Sequence, residues 1–218
     1  MELLISSRLQ SLWPDTAVGY VVYDAKVSEH DPGLWGEIEL LCNEVQQSIV
    51  IEDIAKLPHI HDTREAYKAC GKKPSRYRVS SEALLRRIIQ GKGLYKVNTI
   101  VDINNFVSIK SHFSLGTFNL NKIEPPITFD IGNKGETYEG IGKGIINIEK
   151  LPLFRDQKGA FGSPTSDSER AKVTLDASRL LTVIISFSGE EDVKEVLELL
   201  KDKLVEYAGA SMVQSGAV

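Results

Sequence analysis

Asn98, Asp102 and Asn105 recur at helical spacing inside an otherwise apolar run, VNTIVDINNFVSIKSHFSLGTF, at positions 97–118. At about 100° per residue the three fall on one helix face, within roughly 60° of each other. Asn and Asp are mediocre helix formers because their side chains compete for backbone hydrogen bonds. A polar stripe here therefore faces water, joins a buried hydrogen-bond network, or lines the wall of a pocket. Periodicity alone favours water or a structural network. Only the pocket reading gives the groups chemistry, with amides placed to hold a carbonyl.

The other reactive residue types are sparse. Cys42 and Cys70 stand alone, without the spacing of a zinc site, and read as reduced thiols. His59 and His61 are one residue apart, which suits neighbouring extended or loop positions better than one helix face, so no metal site is expected. There is no phosphate-binding GxxxxGK[ST], no GxSxG and no HExxH. The glycines of GIGKG at 140–144 do not fit a dinucleotide fingerprint and read as a turn. SDSER at 166–170 gathers two hydroxyls, two carboxylates and a cation in a loop, where capping and solvation compete with function. No cofactor is implied, and linear spacing yields no catalytic triad.

Net charge is −4 over 218 residues, which argues against a generally basic nucleic-acid binder. The distribution is uneven. Residues 64–96 carry ten basic side chains (among them Lys72, Lys73, Arg76, Arg78, Arg86 and Arg87) and two acids, a local +8 that leaves −12 for the rest. One cationic surface on an acidic body is the footprint of a phosphate-backbone contact. No run approaches the ~18 apolar residues of a membrane span, and the N-terminal sequence MELLISSRLQSLWPD does not read as a signal peptide. A cytoplasmic location is expected.

The elements that must position these groups are legible in outline. A strand is predicted over 17–27 and amphipathic helices over 34–50 and 61–70. A basic loop follows at 72–78, then a helix capped by Ser80 or Ser81. The 97–118 segment should be a helix to about 110, then a loop through Gly116. Eight glycines between 116 and 162 mark short antiparallel strands. The apolar run 179–187 reads as a central strand. A last helix opens on a capping-box spacing of Ser188 and Glu191, and the tail from 209 is expected to fray. Helices and strands come mixed without regular alternation, which favours an α+β fold.

VNTIVDINNFVSIKSHFSLGTFNLNKI (97–123) resembles the tRNA-editing B3/B4 domain of the bacterial phenylalanyl-tRNA synthetase beta subunit, whose pattern is close to VNNIVDxTNYVMLExGQPMHAFDxxKI. The likeness weakens through GETYEGIGK and into the Ser168, Glu169 pair, and covers roughly residues 75–190. It implies a stand-alone editing-type domain: an N-terminal strand and helix extension over 1–72 packed on the core, an editing-type core over 73–210, and a flexible tail over 211–218, together one compact unit. No aminoacylation module is expected.

The resemblance further implies that the chain binds RNA, as tRNA or aminoacyl-tRNA, or an amino acid, and hydrolyses mischarged Tyr-tRNA(Phe) in trans as a hydrolase. The family's Thr-Asn pair falls on Asn104 and Asn105, and its pocket glutamate on Glu169. Its histidine falls on Gly116, which supplies no imidazole. His112, four residues earlier, and Phe118 are further candidates for the pocket. Lys72, Lys73, Arg76, Arg78, Arg86 and Arg87 would hold the acceptor stem. Two alternatives stand beside this reading: a non-catalytic tRNA or amino-acid binding module that kept the fold and lost the chemistry, and an unrelated small-molecule enzyme on the same fold.

Overall fold

The computed structural model describes residues 2–218. In chain order the elements are β1 (Leu3–Ile5), α1 (Ser7–Leu12), β2 (Ala17–Asp24), α2 (Pro32–Ser48), α3 (Pro58–Ala69), α4 (Ser80–Ile89) and α5 (Thr99–Ser111). The strands β3 (Ser114–Asn119), β4 (Ile127–Ile131), β5 (Thr137–Gly140), β6 (Gly144–Asn147), β7 (Pro152–Asp156), β8 (Gly159–Ser163), β9 (Ser166–Asp167) and β10 (Arg179–Ser186) follow, then α6 (Glu191–Ala208) and β11 (Ser211–Ala217). The fold is α+β, as the mixed pattern predicts. Among the described residues no helix is long and apolar enough to cross a membrane.

Three layers result. A four-stranded antiparallel sheet, ordered β11-β2-β10-β3, lies between a helical layer and a five-stranded sheet ordered β1-β4-β7-β8-β9. The period-two alternation of its strands shows why it is covered on both faces. Val21 and Tyr23 of β2, with Leu180 and Ile184 of β10, join the core built with α2, α4, α5 and α6. Their neighbours Val18, Val22, Leu181, Val183 and Ile185 face Phe129, Phe154 and Phe161 of the second sheet. β10, predicted as central from its apolar run, lies inside the sheet between β2 and β3 and is buried on both faces. A β5–β6 hairpin stands apart over a small third core that includes Tyr67, Tyr138 and Leu153.

Several expectations are corrected. The segment after α5, expected as a loop through Gly116, is the fully buried strand β3, paired with β10. The tail expected to fray is β11, whose residues 211–217 pair antiparallel with β2; backbone ladder bonds hold a segment whose side chains are mostly polar or small. The extension over 1–72 is built into both sheets, since it supplies the interior strand β2 and the edge strand β1, which is parallel to β4. Neither Ser80 nor Ser81 caps α4: the N-cap is Val79, and the Ser81 hydroxyl is 3.1 Å from that of Ser114. The Ser188, Glu191 capping box is not formed, the N-cap of α6 being Glu190 without a side-chain hydrogen bond.

Candidate functional site

The polar stripe of α5 divides into three fates. Asn98 is the helix N-cap, its Oδ1 accepting from the Val101 amide at 2.9 Å. Asp102 is fully buried, accepting from Trp35 Nε1 at 2.7 Å and from the Val97 amide at 3.3 Å. Burial raises its carboxyl above the ordinary value, and the Trp35 bond opposes that shift. These two members are structural. Asn105, one turn further, turns to a cavity.

That cavity has a volume of about 390 Å³. Val101, Asn104, Asn105 and Ser108 of α5 form one wall; Ser80 and Leu84 of α4 and Leu115 and Thr117 of β3 form the next. Ile141, at the tip of the β5–β6 hairpin, and Asp167, Lys172 and Val173, beyond β8, close it. The hairpin is held there by backbone bonds: the Ile141 amide donates to the Asp167 carbonyl at 3.0 Å, and Gly140 bridges to Ser168. The GIGKG segment is thus a turn, with Gly142 and Gly144 both at positive φ.

The polar groups of the wall are not equally free. A buried chain of hydroxyls runs from Tyr23 to Thr182 (3.0 Å), to Thr117 (2.8 Å) and on to Asn104 Oδ1 (3.3 Å), each able to donate to the next. Asn104 Nδ2 donates to the Leu115 carbonyl at 3.4 Å, so both ends of that amide are engaged in fixing α5 against β3. Lys172 is ion-paired with Glu169. Ser80 Oγ and Asp167 Oδ1, by contrast, are buried without a hydrogen-bond partner among the described residues. Leaving such groups unsatisfied costs about 1–3 kcal/mol each, so the wall carries two strained polar positions, Ser80 of α4 and Asp167 of β9. Burial pushes the Asp167 carboxyl up to about 7, against a backbone hydrogen bond from Ser163 and the charge of Lys143.

The sequence-predicted residues are therefore only partly gathered. Asn104 and Asn105 line the cavity. Gly116 does not. Leu115 and Thr117 face α5, so Gly116 points to the opposite face of β3, where a Cβ would lie 2.9 Å from Phe118 Cζ and 3.6 Å from Val183. Phe118 is on that far face too, edge-on to Phe161 with ring centroids 4.9 Å apart. His112 ends α5 in the left-handed conformation (φ 64°), its imidazole held below the ordinary value by burial and then by His59. Glu169 sits at the rim, where it accepts from Lys172 and from the Gly142 amide (3.3 Å); the Lys172 bond keeps its carboxyl low. The residue missed was Asp167, two positions earlier. SDSER announced a polar loop, but which of its two carboxylates is buried depends on the β8–β9 turn.

The predicted cationic surface also divides. Arg64, Arg78 and Arg86 all ion-pair with Glu82, whose side chain is 1% exposed. Arg87 lies over the Tyr95 ring at 3.9 Å. Lys72, Lys73 and Arg76 make no ion pair among the described residues and line a second, open cleft with Tyr77 and Lys150. His59 stacks on Phe113, and no group of three or more His, Cys, Asp or Glu among the described residues could hold a metal.

Three layers, an α5 wall and a cavity closed by a hairpin define an α+β domain. The chain belongs to the B3/4 domain family, whose model matches residues 62–197. It is 29% identical over 179 residues to a phenylalanine–tRNA ligase beta subunit of Chromobacterium violaceum, covering 77% of this chain and 22% of that one. It is 27% identical over 118 residues to the corresponding subunit of Fusobacterium nucleatum, covering 53% of this chain and 15% of that one. The chain thus spans about a fifth or less of the length of these relatives. Its fold is shared with an N-terminal fragment of the phenylalanyl-tRNA synthetase beta subunit from Pyrococcus horikoshii, at TM-score 0.52 and 17% identity, over 97% of this chain and 50% of that one.

Proposed function

We propose that this chain binds an aminoacyl-tRNA and hydrolyses its ester in trans, with the aminoacyl group seated in the α5 cavity. The observation that carries this reading is the Asp167 carboxyl on the wall of an apolar pocket of about 390 Å³, raised to about 7 by burial. A group that titrates near neutral pH suits proton transfer, and the ester is already activated, so an oriented water suffices without a protein nucleophile. In this mechanism the Asp167 carboxylate takes a proton from water as the water oxygen bonds to the ester carbonyl carbon. The Asn105 amide, which has no other partner among the described residues, donates to the developing oxyanion. The acyl–oxygen bond to the ribose then breaks, and the departing oxygen recovers the proton from Asp167, releasing amino acid and tRNA.

The test is a panel of mischarged tRNAs incubated with the full chain and with Asp167→Asn. Ester loss above background for at least one member, falling about 10²–10⁴-fold in the variant, supports the reading. An intact panel removes it. The binding-only alternative is favoured by glycine at 116 in place of the family's histidine; it predicts tRNA affinity without turnover, and Asp167→Asn would then alter affinity alone.

A further inference from the structure

We infer that the open cleft between the α3–α4 loop and the β6–β7 turn is a phosphate site for a single-stranded RNA backbone, formed by Lys72, Lys73, Arg76 and Lys150. The cleft has a volume of about 270 Å³. It is distinct from the α5 cavity, and the choice of RNA over a free phosphate rests on the tRNA reading above.

Three observations carry it. First, none of the four cations has a carboxylate partner among the described residues, whereas Arg64, Arg78 and Arg86 nearby are committed to Glu82. The one acid in the cleft, Glu149, accepts from the Gly135 amide at 3.0 Å. Four cations against one carboxylate leave the cleft at about +3, and an anion relieves the remaining repulsion.

Second, the convergence is built rather than incidental. Lys150 adopts φ 64°, a left-handed conformation uncommon outside glycine. Gly71, at φ 83°, lies so close that an added Cβ would be 3.3 Å from Lys150 Cδ. The Lys72 ammonium lies 3.9 Å over the Tyr77 ring, so cation–π attraction pre-orients it, and Tyr77 is itself anchored against the third core. Backbone outliers of this kind persist where the surroundings over-determine them and are a starting point for functional assignment.

Third, the cleft stands beside the cavity. Tyr77 lines one and Ser80 the other. Three residues span at most about 10–11 Å of extended chain. A strand whose terminal ester occupied the cavity would run its nearest phosphates past this loop. Lysines, as point charges, suit backbone contact that positions without reading sequence.

The experiment is fluorescence anisotropy of the full chain with a short, unacylated, labelled single-stranded RNA across a salt series, so ester hydrolysis plays no part and failure of the hydrolytic reading is seen separately. The double variant Lys72→Ala/Lys150→Ala should weaken binding at least about tenfold and flatten the slope of log K against log salt by about 1.4, at roughly 0.7 per single-strand phosphate contact. Lys194→Ala/Lys201→Ala on α6, with the same change in net charge, should leave both nearly unaltered. Arg76→Ala provides an independent loss of affinity. Equal losses in cleft and control variants, or no loss in the cleft variant, overturn the site. Inorganic pyrophosphate displacing the RNA at concentrations matching the RNA's own Kd makes a free phosphate the ligand and overturns the RNA assignment.

Discussion

Arg86 donates from Nε to the Glu82 carboxylate at 2.8 Å, one turn apart on α4, with that carboxylate 1% exposed. Arg64 reaches it from α3 at 2.8 Å and Arg78 at 3.4 Å. The basic stretch that reads as one phosphate-binding surface is thus partly a structural clamp between α3 and α4. Glutamine at 82 keeps one oxygen for these donors, and Arg64 and Arg86, 21% and 24% exposed, stay partly hydrated, so losing the charge costs about 1–3 kcal/mol. Glu82→Gln should therefore lower unfolding free energy by about that amount in denaturant titration, while the more exposed Arg78→Ala costs under about 1 kcal/mol. Were Arg86 instead a nucleic-acid contact, Arg86→Ala would reduce RNA affinity and leave stability intact.

Asp102 illustrates how a polar stripe can be structural without being solvated. Its carboxylate receives the Trp35 indole and the Val97 amide. An asparagine in its place would keep an oxygen for the indole and relieve the charge that burial disfavours. Asp102→Asn, which gives up the Val97 bond but relieves the charge, should therefore cost less than Asp102→Ala, which also leaves the Trp35 N–H unpaired and costs about 1–3 kcal/mol. Equal losses in the two variants would show that the charge, not the acceptor, is what the fold requires.

Helix positions, the central strand and the α+β class were legible because each rests on local periodicity. β3 and β11 were not, because their pairing depends on distant partners in β10 and β2 rather than on their own composition. The site was half legible for a similar reason. Asn104 and Asn105 follow from helix spacing plus family likeness, but Gly116 and Asp167 are decided by strand parity and by a two-strand turn. A one-residue change of face along β3 carries position 116 from the pocket to the Phe118 core.

Gly116→His tests that parity directly. On family likeness an imidazole at 116 would restore a pocket histidine. In this structure its Cβ would meet Phe118 Cζ at 2.9 Å, on the face away from the cavity. The expected outcome is a loss of about 1–3 kcal/mol from overpacking, with no gain in ester hydrolysis. A variant of unchanged melting temperature and raised hydrolysis would place the 116 side chain at the pocket after all.

Asp167 gives a prediction whose sign follows from linkage. Its ordinary value is 3.8 and burial raises it to about 7 in the folded chain. Between those values the native state holds a proton that the unfolded state has released, so stability from this group falls as pH rises through the window and levels off above it. Asp167→Asn mimics the neutral form. Its stability relative to wild type should be near zero at about pH 4 and positive, by about 1–3 kcal/mol, at about pH 8. Wild-type hydrolysis should climb with pH and reach a plateau just above 7, because only the carboxylate can take the proton from water. A stability difference independent of pH would mean that Asp167 is already ionised in the pocket, and a hydrolysis profile that survives Asp167→Asn unchanged would remove it from the reaction.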